Sequence, residues 1–408
     1  MARPTVNIIE ANGALGRVAP SADGISAIIV SGVAVGGKFA LDDVLGPFLS
    51  PQDAANMGID AAYDTTNTCL ANKHISDFYA YAGFGTQLYV MVVAKTVAID
   101  DLTDKTENYA KKLLVAGGGA IKLLGITRVP DGGYSPTFAN QFDADLWTAA
   151  TNAKALIADE FAAYRPVSII LEGSDFQGTA SSTKDLRDVA GLLANRVSIM
   201  IGADNTISTT VAQAAKYAAV GIALGKLAGI PVQRNAGRVK DGDLGILNAG
   251  FSNEAAYNTL SDTDLDTLHN HGYMFFLQYA GKAGFFFNDD PTASPITDDY
   301  SSISRGRTMD KAARITRTVF LEELNDDIEL DPVSGQLAPA TIKHYQGAVE
   351  TEINRQMTAN QEIVRVKAFC EPNQNVLSTD KIAISLTILP KGMAKDIEAT
   401  LAFENPLA

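Results

Sequence analysis

Between residues 103 and 229, short apolar runs alternate with helix-length segments, and this alternation constrains the fold more than any other feature of the chain. The apolar runs fall at 121–124, 166–172 (PVSIILE) and 197–202 (VSIMIG). These runs read as strands because helix-length segments alternate with them. The segments around them, 105–115, 144–164, 184–194 and 211–228, read as helices of ten or more residues. Parallel strands require crossovers of that length, so the pattern predicts an α/β layer around a largely parallel sheet. Two earlier runs, 25–35 (ISAIIVSGVAV) and 87–94 (QLYVMVVA), read as further strands. Ser50-Pro51 opens a helix that Gly58 stops, and a helix over 67–81 ends at Gly83-Phe84-Gly85.

The pattern changes towards the C-terminus. Residues 273–287 read as a hairpin with Gly281 and Gly284 in its connection, and the polar stretch 289–299 reads as a domain boundary. Helices are expected over 310–325 and 338–357, the latter with Pro339 at its start. Two alternating strands follow, 363–369 and 381–389, separated by the turn cluster Glu371-Pro372-Asn373-Gln374-Asn375. A last strand-like run, 396–403 (DIEATLAF), lies beyond Pro390. The expected division is an N-terminal arm and linker (1–24), an outer α/β region (25–290, alternatively split into 25–100 and 101–290), an α+β C-terminal domain (291–395) and a C-terminal arm (396–408).

Composition narrows the function. A formal charge of -14 over 408 residues opposes binding to phosphate backbones and to anionic membrane surfaces. The most apolar long stretch, 211–230, carries Lys216 and Lys226 and reads as a buried small-residue helix, not a membrane span. No signal peptide is visible, and Cys69 and Cys370 read as buried free thiols of a protein made in a reducing (host) cytoplasm.

The motifs of chemistry are weak. Gly221 to Lys226 comes nearest to a phosphate loop but is one residue short and lacks the hydroxyl for magnesium. His269 and His271, with Asp262, Asp264 and Asp266 upstream, form the best metal cluster, and a polar cap before a helix explains them better. Cys69 and His74 are five apart and do not share a helical face. The expectation is a chain with no catalytic residue, no cofactor and no metal, and not an enzyme.

The last strands carry the most specific pattern: VKAFCEPNQN, a spacer, then DKIAISLTILPKGMAKDIEATLAF. This resembles the C-terminal signature of contractile tail sheath proteins of phages and phage-like injection systems. GISAIIVSGVAV, FYAYAGFGTQLYVMVV, GIALGKLAG and RITRTVFLEELN resemble other stretches of that family in the same order. The family's Trp-Gly-Arg-Thr-like segment is absent, and SRGRT (304–308) is its nearest remnant. The resemblance implies a structural subunit that stacks as hexameric rings around an inner tail tube and contacts baseplate and tail terminator proteins. It also implies terminal strands that pair in neighbouring subunits: Thr5, Val6, Asn7, Ile8 and Ile9 at one end, Ile397, Ala399, Leu401 and Phe403 at the other. Acceptor strands would carry Val364, Val366 and Ala368, and Ile382, Ile384 and Leu386. The linker 11–24 could reach about 45 Å when extended. The spacing of Arg307, Lys311 and Arg314, with Arg317, suggests a basic helical stripe facing the tube or a neighbour. The alternatives are an α/β enzyme of unknown substrate and a non-contractile tail tube or baseplate protein.

Overall fold

Six strands, β1 (Ser26–Gly32), β2 (Val44–Phe48), β3 (Leu88–Ala94), β4 (Leu123–Ile126), β5 (Ser168–Glu172) and β6 (Val197–Met200), form one sheet in the order β2-β3-β1-β4-β5-β6. All neighbours run parallel except β2, which pairs antiparallel with β3 at the edge. The computed structural model describes residues 22–403. They form two units, one ending at Asp310 and one beginning at Lys311.

Every residue of β1, β4, β5 and β6 is buried, which explains their continuous apolar runs. The two-residue pleat then sorts the side chains. Ile28, Val30, Val90 and Val92 enter one core, and Ala27, Ile29, Met91 and Val93 enter the other. The first core is closed by helices α1 (Ala71–Ala82) and α3 (Val220–Gly229), the second chiefly by α2 (Asp145–Ala162). The result is a three-layer α/β/α unit.

Glycines set the packing of α1 on α3. Gly221, Gly225 and Gly229 recur every four residues, so they share one face of α3. A Cβ at Gly221 would lie 2.4 Å from the carbonyl oxygen of His74, and one at Gly225 would lie 2.4 Å from that of Phe78. The helices therefore meet backbone to backbone, which only glycine permits. Gly225→Ala is expected to destabilise the unit by about 1–3 kcal/mol through forced separation of the helices. Urea unfolding measures it, and an unchanged midpoint would show that the crossing relaxes freely.

Two expected helices differ. Residues 184–194 form turns, because Asp185 accepts from the Arg187 N–H at 2.8 Å and Asp188 from the Ala190 N–H at 2.9 Å. These local bonds compete directly with a helix. Over 211–228, α3 begins only at Val220. The N–H of Ala218 donates to Glu172 at 2.8 Å and that of Ala219 to the Gly202 carbonyl at 2.8 Å, so neither is available to an earlier turn. The 273–287 hairpin is reduced to Phe276–Leu277 against Phe286–Phe287. Met274 instead bridges in parallel to Met200, beside β6. The polar stretch 289–299 packs into the first unit, with Asp290, Thr292, Ala293 and Ser294 buried.

Helix α4 (Ile303–Leu321) runs through the point where the units divide. In the second unit, α5 (Pro339–Ile353) leads through a π-turn to β7 (Ile363–Cys370), which pairs antiparallel with β8 (Ile384–Pro390). Ala312, Ile315, Val349, Ile353 and Met357 form the core beneath this hairpin.

Candidate assembly interface

Among the described residues the β7–β8 sheet has two strands, so both its outer edges present backbone groups that no described strand pairs. Its inner face is finished unevenly. On β7, Ile363, Val366, Ala368 and Cys370 are buried. On β8 the equivalent side chains, Ile384, Leu386 and Ile388, remain half-buried although they pack on the same core. A further strand beside β8 would cover them. Of the proposed acceptor residues, Val366, Ala368, Ile384 and Leu386 face inward as the alternation requires, and Ile382 packs just outside β8 against Cys370 and Val376. Val364 does not. The register slips between Ile363 and Arg365, and this bulge turns Val364 outward to 50% exposure.

Among the described residues, 396–403 pair with no strand. Ile397 is 81% exposed, Leu401 95% and Phe403 fully exposed, and with Ala399 they occupy every second position. An extended segment of this kind has one apolar face standing in water. Thr5, Val6, Asn7, Ile8 and Ile9 lie outside the described residues.

The basic stripe on α4 is not a surface stripe. Arg307 is buried, and its guanidinium donates to the carbonyls of Asp23 and Ile230, each at 3.4 Å. Lys311 forms an ion pair with Glu362 at 2.8 Å. Arg314 is half-buried and Arg317 exposed. The helical spacing gives a shared face, but at 307 and 311 that face points inward.

Three buried ionisable groups carried no sequence signal. Glu172, at the end of β5, accepts from the N–H groups of Arg128 at 2.7 Å and Ala218 at 2.8 Å, and burial pushes its carboxyl up to about 7. Asp77 is raised to about 6 by burial despite Lys73 at 2.6 Å. His74 accepts from the Gly221 N–H at 3.3 Å, and burial lowers it to about 3. Glu172 and His74 each tie sequence-distant backbone together inside the first unit, while Asp77 pairs with Lys73 on its own helix. His74 contributes stability that is complete above pH 6.5 and lost as pH falls towards 3, because the unfolded chain takes up the proton first. Glu172 and Asp77 act oppositely, losing their contribution as pH rises through about 7 and about 6. The stability deficit of His74→Gln relative to the parent should therefore shrink as pH drops from 6.5 to 4, by up to about 1.4 kcal/mol per pH unit. Urea titrations at the two pH values read this, and a constant deficit would contradict it.

The remaining candidate chemistry is structural. Asp264 and Ser261 form the capping box of the Asp262–Asn270 helix. His271 meets Thr183 at 2.7 Å, and His269 meets Asn288 at 3.2 Å. Burial pushes the Cys69 thiol up to about 12, far from a reactive thiolate. Among the described residues no group of three His, Cys, Asp or Glu side chains could hold a metal ion, and no helix is long and apolar enough to cross a membrane.

The model of the DUF2586 N-terminal domain matches residues 3–291, and that of the DUF2586 C-terminal domain matches residues 299–408. The chain belongs to the DUF2586 family. No curated protein matches this DUF2586 chain. Solved structures do. The helical sheath of the anti-feeding prophage in its contracted state aligns with TM-score 0.61 and 13% identity, over 99% of this chain and 100% of that one. The sheath complex of PVC, an extracellular contractile injection system, also contracted, aligns with TM-score 0.60 and 10% identity over 99% and 98%. A chain of the anti-feeding prophage baseplate aligns with TM-score 0.57 and 13% identity over 99% of both. The described residues of this DUF2586 chain thus have the α/β fold seen in contractile sheath proteins.

Proposed function

We propose that this protein is the structural subunit of a contractile sheath, polymerising around an inner tube and shortening to drive that tube through a target envelope. The observation that carries the reading is the pairing of an unfinished acceptor with an unsatisfied donor on one chain. β8 leaves a half-covered apolar row at its edge, and residues 396–403 offer an alternating apolar segment that no described strand pairs. A donor strand cannot serve its own sheet and a neighbour's at once, so such a chain links copies into a polymer by β-augmentation. The full-length likeness to sheath subunits taken from assembled particles supports the same reading.

Residues Thr5 to Ile9 act as the second arm, reaching a neighbouring hairpin through the 11–24 linker. Arms joined by linkers let neighbouring subunits reorient while the backbone ladders stay paired, and contraction is then a change between two packings of those subunits. Hexameric rings, an inner tube, baseplate and terminator contacts, and the absence of catalysis complete the reading. No nucleotide is required for a spring that is already loaded.

Electron microscopy of the purified protein tests this. Long tubes are expected from the intact chain, and folded monomers from a chain lacking residues 1–11. Thin stacked rings would point to a tube protein instead. Compact particles at every concentration would favour the enzyme.

A further inference from the structure

The outward face of the β7–β8 hairpin is unlike the rest of this acidic chain. It exposes Arg365, Lys367 and Phe369 on β7, facing Leu389, Thr387 and Ser385 across the ladder. Phe369 is 52% exposed, Leu389 44% and the bulged Val364 50%. Neither strand contains an acidic residue. Among the described residues Arg365 and Lys367 enter no ion pair. Two cations around an exposed aromatic and two aliphatic side chains make a cationic, apolar platform.

The same unit carries the complement. From 318 to 342 there is no lysine or arginine, while Glu322, Glu323, Asp326, Asp327, Glu329 and Asp331 follow one another closely. Leu321, Leu324 and Val333 stand exposed among them at 46%, 66% and 95%. Among the described residues none of these acids pairs with a lysine or arginine, and the Glu323 carboxylate meets His344 at 3.0 Å.

The two surfaces cannot meet within one chain. Ile328 and Leu330 of the acidic segment pack with Leu337 against Cys370 and Ile384, on the inner face of the hairpin. Lys367 and Phe369 project from the opposite face, because successive strand residues alternate. Adding strands at the edges would lengthen the sheet without covering that outer face.

We propose that the outward β7–β8 face docks the acidic 321–333 segment of a second copy of this chain. The argument is charge and shape complementarity on opposite sides of one unit. Such an interface is heterologous: each copy uses one surface to hold the next and the other to be held. Repeated, it generates closed rings or open helices rather than symmetric dimers. The contact deepens the polymer reading above and takes its occupant from it, but it uses no exchanged strand.

The test uses the full chain in two readouts. A 1:1 mixture of isotopically light and heavy copies is treated with a carbodiimide, which joins an amine to a carboxylate in direct contact. Mixed-isotope crosslinks between Lys367 and Asp326, Asp327 or Glu329 are expected. In parallel, Arg365→Glu with Lys367→Glu, and separately Asp326→Lys with Asp327→Lys, should each raise the concentration needed for polymerisation by at least about tenfold, as like charges then face each other. Combining the four changes should restore assembly. Polymers without the mixed crosslink, or charge-reversed variants that assemble as the parent does, overturn this contact and leave strand exchange standing. The crosslink without polymers overturns strand exchange and leaves this contact standing. Neither crosslink nor polymer overturns both.

Discussion

A chain lacking residues 396–408 is expected to fold normally and to form no polymer at any accessible concentration. Ile397, Leu401 and Phe403 are almost wholly exposed, so their removal takes no packing from the subunit. The thermal midpoint should stay unchanged. In the proposed polymer the same residues would do most of the joining. Burying an isoleucine, a leucine and a phenylalanine stabilises by about 1.5–3 kcal/mol each. Four to six ladder hydrogen bonds add about 1 kcal/mol apiece. Ordering the arm offsets part of this, at about 1–2 kcal/mol per residue. The balance per joint is modest, yet every subunit depends on it, so losing it at all joints together should remove the polymer. Leu401→Asp with Phe403→Asp separates the two contributions, because it keeps the backbone ladder and removes the apolar face. Sedimentation velocity should show monomers for both variants. Polymers of normal length from the truncated chain would mean that the C-terminal segment is only a tail.

How much of this could be read from residues alone follows from the range of the forces involved. The central sheet was legible because burial on both faces leaves a local trace, an unbroken apolar run, as in PVSIILE and VSIMIG. The small-residue run 221–229 was legible as a buried helix for the same reason, although what its glycines touch was not. The turn at 184–194 was misread because Asp185 and Asp188 each bond a backbone N–H two residues on, a choice that propensity does not separate from a helix. Val364 was misplaced by a single bulge, which no alternation pattern announces. Arg307 and Lys311 show a different limit. Periodicity says which residues share a face, but their partners, the carbonyls of Asp23 and Ile230 and the carboxylate of Glu362, are far away in sequence. Glu172 is the extreme case, since its two donors sit 44 and 46 residues away on either side. The acidic and cationic surfaces of the second unit were not read in the sequence, because only the pleat of β7 shows which side chains share a face.

Loss of the Asp310 carboxylate is expected to be the most damaging single change in the first unit. Asp310 receives Arg196 in a two-pronged bond, with guanidinium nitrogens 2.7 and 3.2 Å from its oxygens. The two side chains are only 4% and 11% exposed. Aromatic rings flank the cation, with Tyr300 at 4.7 Å and Phe161 at 5.5 Å. Asp310→Ala leaves that desolvated guanidinium without its hydrogen-bonded counter-charge, with Asp298 as a weaker one, and breaking a buried pair typically costs about 3–5 kcal/mol. The cost comes from the stranded cation and not from the attraction itself. Arg196→Met combined with Asp310→Leu should therefore recover most of the loss, as buried pairs replaced by apolar residues of similar size are often neutral. Both sets belong in the background lacking residues 396–408, so that assembly does not mask unfolding. The pair has a place in the working molecule too. It fixes α4 at the last residue of the first unit, one residue before Lys311 takes up Glu362 in the second. If Asp310→Ala melts within about 0.5 kcal/mol of its parent, as an ordinary surface substitution does, the carboxylate is not what holds α4 in the first unit.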